Sequence, residues 1–421
     1  MDRTITFTGA FSSDASVNIP SSKSYVHRMA ICAALSKGRS TISNVNFSED
    51  ITATLSCLET LGCRWSVNKS EITIESGEFT KENKIYNCGE SASTLRFMIP
   101  VVLATVGKGK FVGSETLLKR PLDIYFEIFD KTGISYDYVP GEYLSVEGNL
   151  CESEYCLDGS VSSQFVTGML LSLAYLGGGR KLNISGALSS APYVDITREV
   201  MELYGVKVDF DGSSFTIDES QKFTPCDSVA QGDYSQSAFY LAAAVAGGEI
   251  TLKNLSSKTS QGDAVIVDLV EKMGGRIERD EFEIRAYKSE LKSIGTIDAE
   301  HFPDIVPPLA LICTGCIGDT VITNVSRLKI KESNRLLAVE NLLNTLGADV
   351  RTDDNNIYIK GGAKLHGGKV SAVNDHRIAM TASVASVMAD GSITIAESES
   401  VKKSYPHFYE DLKKLGGIEV E

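Results

Sequence analysis

The segment SQSAFYLAAAVAGGEITLKNL (235–255), followed by LVEKMGGRIERDEFEIRA (269–286), sets the pattern of the whole chain. The first reads as an apolar helix rich in Ala, stopped by glycine and followed by a short strand. The second reads as an amphipathic helix, another glycine stop and two alternating strands. Working outward, the first type recurs in six copies, from Ser24, Ser93, Ser163, Ser235, Asp304 and Arg377. The second alternates with it, from Asp50, Leu122, Val194, Ala264, Arg335 and Phe408. Such self-similarity is the mark of a repeat architecture, in which neighbouring units share a core. The last copy stops at Glu421 one strand short, while RTITFT (3–8) alternates as a strand with no helix before it. The spacing therefore predicts that the N-terminal strand completes the last repeat. Six units then divide into a discontinuous domain, 1–19 plus 232–421, and a continuous one, 20–231, joined by two crossings that act as a hinge.

Composition narrows the function. A chain of 421 residues carries a prior of two or three domains, and 43% hydrophobic with 23% charged residues is enough to pack them. Neither a roughly 20-residue apolar run nor a leader-like start is visible, so a cytoplasmic protein with no membrane partner is expected. The 55 acidic against 41 basic residues leave a net charge of −14, which repels phosphodiester backbones and argues against nucleic acid. Nine scattered cysteines suit a reducing compartment. Cys313 and Cys316 form a C-x-x-C without a second pair, and His27, His301 and His376 show no ligand spacing, so all five read as structural and no metal is expected.

Polar residues interrupt the repeat at two positions. One is the start of the first-type helices: PSSKSYVHR (20–28), GESASTLR (89–96), SSQF (162–165), GDYSQS (232–237), FPD (302–304) and NDHR (374–377). The other is the loop before the second-type helices: LLKRPLD (117–123), LSSAPYVD (188–195), RLKIKESNR (327–335) and VKKSYPH (401–407). Helix N-termini attract anions through free N–H groups and the helix dipole. Lys23, Arg28, Arg96, Arg120, Lys331, Arg335, Arg377 and Lys403 all fall at these positions, a local basic collection in an acidic protein that suits a small, multiply anionic ligand. Taken singly, Ser24, Ser93 and Ser163 also read as helix caps.

At these residues the sequence resembles the 5-enolpyruvylshikimate-3-phosphate synthase family, the 3-phosphoshikimate 1-carboxyvinyltransferases. The likeness rests on PSSKSYVHR, GESASTLR, KRP, SSQF, SAPY, QGDYSQSAFYLAAA, HFPD, KIKESNR, NDHRIAM and KKSYPHF in family order along the whole chain. It implies two inside-out α/β barrel domains of three βαββαβ repeats each, an active site in the cleft between them, a monomer, no cofactor, and domain closure around the substrates. Carried over, Lys23, Ser24, Arg28, Ser162, Ser163, Gln164, Ser190, Tyr193, Asp304 and Lys331 would hold shikimate 3-phosphate. Lys23, Ala92, Arg120, Gln164, Arg335, Arg377 and Lys403 would hold phosphoenolpyruvate, and Arg96 would support the Gly89–Arg96 turn. Asp304, Glu332 and Lys23 are the candidates for proton transfer in the addition and elimination.

One position departs from the pattern. Family members with glycine-bearing loops read Gly-Asn-Ala-Gly-Thr-Ala where this chain has Gly89, Glu90, Ser91, Ala92, Ser93 and Thr94, so Ala92 replaces a glycine. Its methyl is expected to blunt glyphosate, an inhibitor of this family. Two other readings stay open: enolpyruvyl transfer to a UDP-amino sugar, whose enzymes carry a reactive cysteine that 117–123 lacks, and a non-catalytic anion-binding repeat protein.

Overall fold

The computed structural model describes residues 2–421. Its contacts divide the chain into two compact units. The central unit is Lys23–Ala230; the terminal unit joins the residues up to Ser22 to Gln231–Glu421.

The chain opens with β1 (Arg3–Phe7) and β2 (Ser16–Asn18), then enters the central unit through α1 (Lys23–Leu35), β3 (Arg39–Ser43), α2 (Glu49–Leu61), β4 (Arg64–Asn68) and β5 (Glu71–Glu75). The next repeat is β6 (Ile85–Asn87), α3 (Ala92–Thr105), β7 (Lys108–Val112), a single turn α4 (Glu115–Leu118), α5 (Asp123–Thr132), β8 (Ser135–Val139) and β9 (Tyr143–Glu147). The third is β10 (Glu154–Asp158), α6 (Ser163–Leu176), β11 (Lys181–Ser185), α7 (Ala191–Leu203), β12 (Val208–Phe210) and β13 (Ser214–Ile217), after which β14 (Ser228–Val229) returns.

The terminal unit continues with α8 (Tyr234–Gly247), β15 (Ile250–Lys253), α9 (Val265–Lys272), β16 (Ile277–Arg279) and β17 (Glu283–Ala286). Then come β18 (Thr296–Asp298), α10 (Val306–Thr314), β19 (Thr320–Thr323), α11 (Arg335–Thr345), β20 (Asp349–Thr352) and β21 (Asn356–Lys360). The chain finishes with β22 (Leu365–Ser371), α12 (His376–Ala385), β23 (Ala389–Ala396), α13 (Phe408–Lys414) and β24 (Ile418–Val420).

These strands make six four-stranded sheets of one topology, with orders β14-β3-β5-β4, β6-β7-β9-β8, β10-β11-β13-β12, β2-β15-β17-β16, β18-β19-β21-β20 and β22-β23-β1-β24. In each, the first strand runs parallel to the second and the others pair antiparallel. β1 holds the third place in the last sheet, with Ile5 opposite Ile393 on one side and Val420 on the other. The parallel first strands, some only two or three residues long, leave no alternation for sequence periodicity to register.

Helices of the first type are buried nearly all round: every residue of α8 from Tyr234 to Val245 is buried, and so is all of α10. A helix apolar on every face belongs inside, so these form the middle of each unit. In α3 the interior Pro100 has no N–H to give the Arg96 carbonyl. The Tyr125 hydroxyl of α5 supplies the missing donor at 2.5 Å. Gly168 of α6 sits against the same point, where an added Cβ would lie 2.5 Å from both the Arg96 oxygen and the Tyr125 hydroxyl.

The crossings lie at Ser22–Lys23 and Ala230–Gln231, whereas the sequence reading placed them after residues 19 and 231. Pairing explains the difference: Ser21 bridges Gly232, and the Ser22 N–H donates to the Gln231 carbonyl at 2.6 Å, so both strands stay with the terminal unit. Gly232 permits this approach, because a Cβ there would fall 1.9 Å from the Asn254 carbonyl oxygen.

Candidate active site

In the central unit the expected residues gather at the starts of α1, α3, α6 and α7. Arg28 ties three of these helices. Its guanidinium donates to Thr197 Oγ1 at 2.7 Å and the Tyr193 carbonyl at 2.9 Å on α7, to Thr167 Oγ1 at 3.2 Å on α6, and to the Ser24 carbonyl at 2.7 Å on its own helix. It lies over the Phe97 ring, and burial pulls its pKa down to about 10, still charged near neutrality. Four of the five guanidinium donors are thereby placed.

Arg96 performs the same service at α3. It donates to Gln164 Oε1 at 2.8 Å and the Pro121 carbonyl at 2.9 Å, and stacks over Phe165 at 4.7 Å. Gln164 in turn donates to Ser93 Oγ at 3.0 Å, joining the first turns of α3 and α6. Arg120 follows α4 and precedes Pro121, which brings it beside this network. Lys23 pairs with Asp50 Oδ2 at 2.6 Å, while the Asp50 carbonyl accepts from Thr94 Oγ1 at 3.4 Å near Ala92.

The helix caps differ from the sequence expectation. Ser91 caps α3 and Ser162 caps α6, each side chain accepting from an N–H in the first turn; Ser93 and Ser163 lie inside those turns. Ser190 precedes α7 at φ 54°, a left-handed conformation that costs a non-glycine residue about 1–3 kcal/mol.

The terminal unit carries a denser charge cluster. Asp304, in a 3₁₀ turn before α10, accepts from Arg335 Nη1 at 2.9 Å, Arg377 Nη2 at 2.9 Å and Lys331 Nζ at 3.4 Å. Arg335, 1% exposed at the start of α11, also meets Glu332 Oε2 at 2.5 Å and Asp375 Oδ2 at 2.8 Å. Burial works against its charge, but Asp375, Glu332 and Asp304 outweigh it and hold the pKa above the ordinary guanidinium value. Burial lowers the Lys331 pKa more than Asp304 raises it. Lys403 donates to the Asn374 carbonyl at 2.5 Å beside α12.

Two structural partners escaped the sequence reading. Asp375 is fully buried; its Oδ1 caps α12 by accepting from the Arg377 N–H at 2.9 Å, while Oδ2 accepts from Arg335 and from Ser333 Oγ. The Asn-Asp-His-Arg helix start held the signal, since Asp is a favoured cap. Asp263 is buried too, and burial, then the neighbouring Asp304 carboxylate, push its pKa up to about 7. Its Gly-Asp-Ala turn carries no local mark.

Cys313 and Cys316 are buried and free, and His27 is a core residue whose Nδ1 meets Thr54 Oγ1 at 2.7 Å. Among the described residues no cluster of His, Cys, Asp and Glu has metal-site geometry, and no helix is long and apolar enough to cross a membrane.

Comparison with known proteins identifies the family. The family model described as EPSP synthase (3-phosphoshikimate 1-carboxyvinyltransferase) matches residues 10–412. A 3-phosphoshikimate 1-carboxyvinyltransferase from Clostridium perfringens is 41% identical over 409 residues, 96% of each chain. One from Clostridioides difficile is 40% identical over 418 residues, 95% of each. In fold, the chain is similar to an EPSP synthase from Acinetobacter baumannii, with TM-score 0.83, 23% identity and full coverage of both. It is also similar to the enolpyruvyl transferase NikO from Streptomyces tendae, with TM-score 0.81, 18% identity and coverage of 100% and 98%.

Proposed function

The chain belongs to the EPSP synthase family, and on that premise we propose how its residues divide the reaction. The enzyme transfers the enolpyruvyl group of phosphoenolpyruvate to the 5-hydroxyl of shikimate 3-phosphate and releases phosphate, on the route to chorismate and the aromatic amino acids. The hydroxyl oxygen bonds to C2 as C3 gains a proton and the hydroxyl loses its own. The tetrahedral adduct then expels phosphate and loses a C3 proton, restoring the vinyl group.

The observation that carries the assignment is the ring of charge around Arg335, which meets three carboxylates through its three nitrogens. A fork that already fits carboxylates suits that of phosphoenolpyruvate. Exchange with Glu332 would bind the substrate and free Glu332 for the methylene proton. Arg377, Lys403, Lys23, Arg120 and Gln164 complete the phosphoenolpyruvate set, with Ala92 beside it. Asp304 accepts the 5-hydroxyl proton and, with Lys331, meets the ring hydroxyls.

The central unit holds the other substrate. Ser24 and the remaining Arg28 donor take the shikimate carboxylate; Ser162, Ser163 and Ser190 take the 3-phosphate at the starts of α6 and α7, where free N–H groups favour anions. Gln164 and Tyr193 flank the ring, and Arg96 keeps Gln164 in place. The reaction requires the 5-hydroxyl oxygen and C2 of phosphoenolpyruvate to be held in bonding alignment. The nine free cysteines fit a cytoplasmic enzyme, and we place it there as a monomer without cofactor.

Phosphate release tests the reading. With phosphoenolpyruvate present, release on adding shikimate 3-phosphate and none on adding UDP-N-acetylglucosamine is the expected result. Release with the sugar nucleotide alone, or binding of shikimate 3-phosphate without turnover, overturns it.

A further inference from the structure

Asp263 belongs to the 3₁₀ turn Gly262–Ala264 that leads into α9, and only 3% of it is exposed. Ser235, in the first turn of α8, donates its hydroxyl to Asp263 Oδ2. Asp233 caps the same helix, accepting from the N–H groups of Ser235 at 2.9 Å and Gln236 at 3.3 Å. Helix α8 also packs against α12 and the turn bearing Asp304. The charges that reach Asp263 are those of Asp304 from that turn, Arg377 from α12 and Asp233 from the cap. Burial and Asp304 favour its protonated form most, while Arg377 and the Ser235 hydroxyl favour the carboxylate.

Arg377 is the shared partner in this arrangement. Its Nη2 is 2.9 Å from Asp304 Oδ2, and the proposed function gives it the phosphoenolpyruvate carboxylate. A negative charge on Asp263 competes with any anion for Arg377 and repels that anion directly, and both effects are strong away from water. We propose that Asp263 is a positioning residue for phosphoenolpyruvate, whose neutral form leaves Arg377 available to the substrate and whose ionised form weakens its hold. This rests on the family reading above and extends it to a side chain with no part in the chemistry.

The test is the Michaelis constant for phosphoenolpyruvate, with shikimate 3-phosphate saturating, in the parent and in Asp263→Asn from about pH 6 to about pH 8. Ionisation of the substrate's own phosphate affects both enzymes and cancels in their ratio. The parent-to-variant ratio of KM should rise roughly fivefold or more across this range, because the amide stays neutral. A ratio that stays flat overturns the proposal.

Ser235→Ala provides a second measurement, decisive even where Asp263→Asn does not fold. Loss of a hydrogen bond to the carboxylate form should move the midpoint of the KM profile to higher pH than in the parent. A purely structural role would lower the melting temperature and leave that midpoint unmoved, which overturns the proposal. A parent enzyme releasing no phosphate from the two substrates refutes the family reading instead, so the two failures are distinct.

Discussion

The Tyr125 hydroxyl stands 2.5 Å from the Arg96 carbonyl oxygen and serves as the donor that Pro100 cannot be. The backbone carbonyl and the guanidinium of Arg96 are thus both held by neighbours, and the Gln164 contact depends on that placement. Tyr125→Phe should cost about 1–3 kcal/mol, the penalty for leaving a buried acceptor unpaired. Chemical denaturation measures it, and a loss below about 0.5 kcal/mol would show that the carbonyl finds another donor.

Asp375→Ala removes a buried carboxylate from Arg335 and the cap from α12 together. Breaking such a pair typically costs about 3–5 kcal/mol. Thermal melts should show a large loss of stability, and any folded fraction should require more phosphoenolpyruvate for half-maximal rate. An unchanged melting temperature would mean that Glu332 and Asp304 suffice to hold Arg335.

Asp304→Asn and Glu332→Gln keep size and remove proton acceptance. Each should lower kcat by about 100-fold to 10,000-fold, the usual contribution of a general acid or base, while shikimate 3-phosphate still binds. Near-parental kcat in either variant takes that residue out of the proton transfers.

Ala92 opens α3 with its methyl almost wholly covered. We expect Ala92→Gly to be inhibited by less glyphosate than the parent, read as a ratio of inhibition constants, and to lose about 0.5–1 kcal/mol of stability from the added backbone freedom. Equal inhibition constants would show that the methyl plays no part in excluding the inhibitor.

Asp263 also predicts a pH signature in stability. Its folded pKa, about 7, exceeds the ordinary 3.8, so the folded state keeps a proton that the unfolded state sheds between those values. This group's contribution is fully present below the lower value and is lost as pH rises through the higher one. Asp263→Asn should therefore gain on the parent by roughly 2–4 kcal/mol between about pH 5 and about pH 8 in urea titrations. A difference independent of pH would show that the carboxyl is ionised throughout.

Six largely apolar helices and six amphipathic ones followed by paired strands announced the repeat, because the two patterns alternate six times along the chain. β2 and β14 were illegible for want of length. Lys331, Arg335 and Arg377 could be collected by position, but their common attachment to Asp304 could not, since partners 27, 31 and 73 residues apart meet only after folding. Asp263 lay outside the reading for a different reason: its unusual proton affinity comes from the groups around it, and those arrive from three separate elements.

β1 is made before Lys23–Ala230, and its neighbours β23 and β24 are made after it. On the ribosome, the middle of the chain can therefore collapse as a finished body while the first strand waits, unpaired, for residues emitted last. Such a waiting edge invites wrong partners. A ligation that moved β1 to follow β24 would spare the nascent chain that delay and should raise the yield of soluble protein.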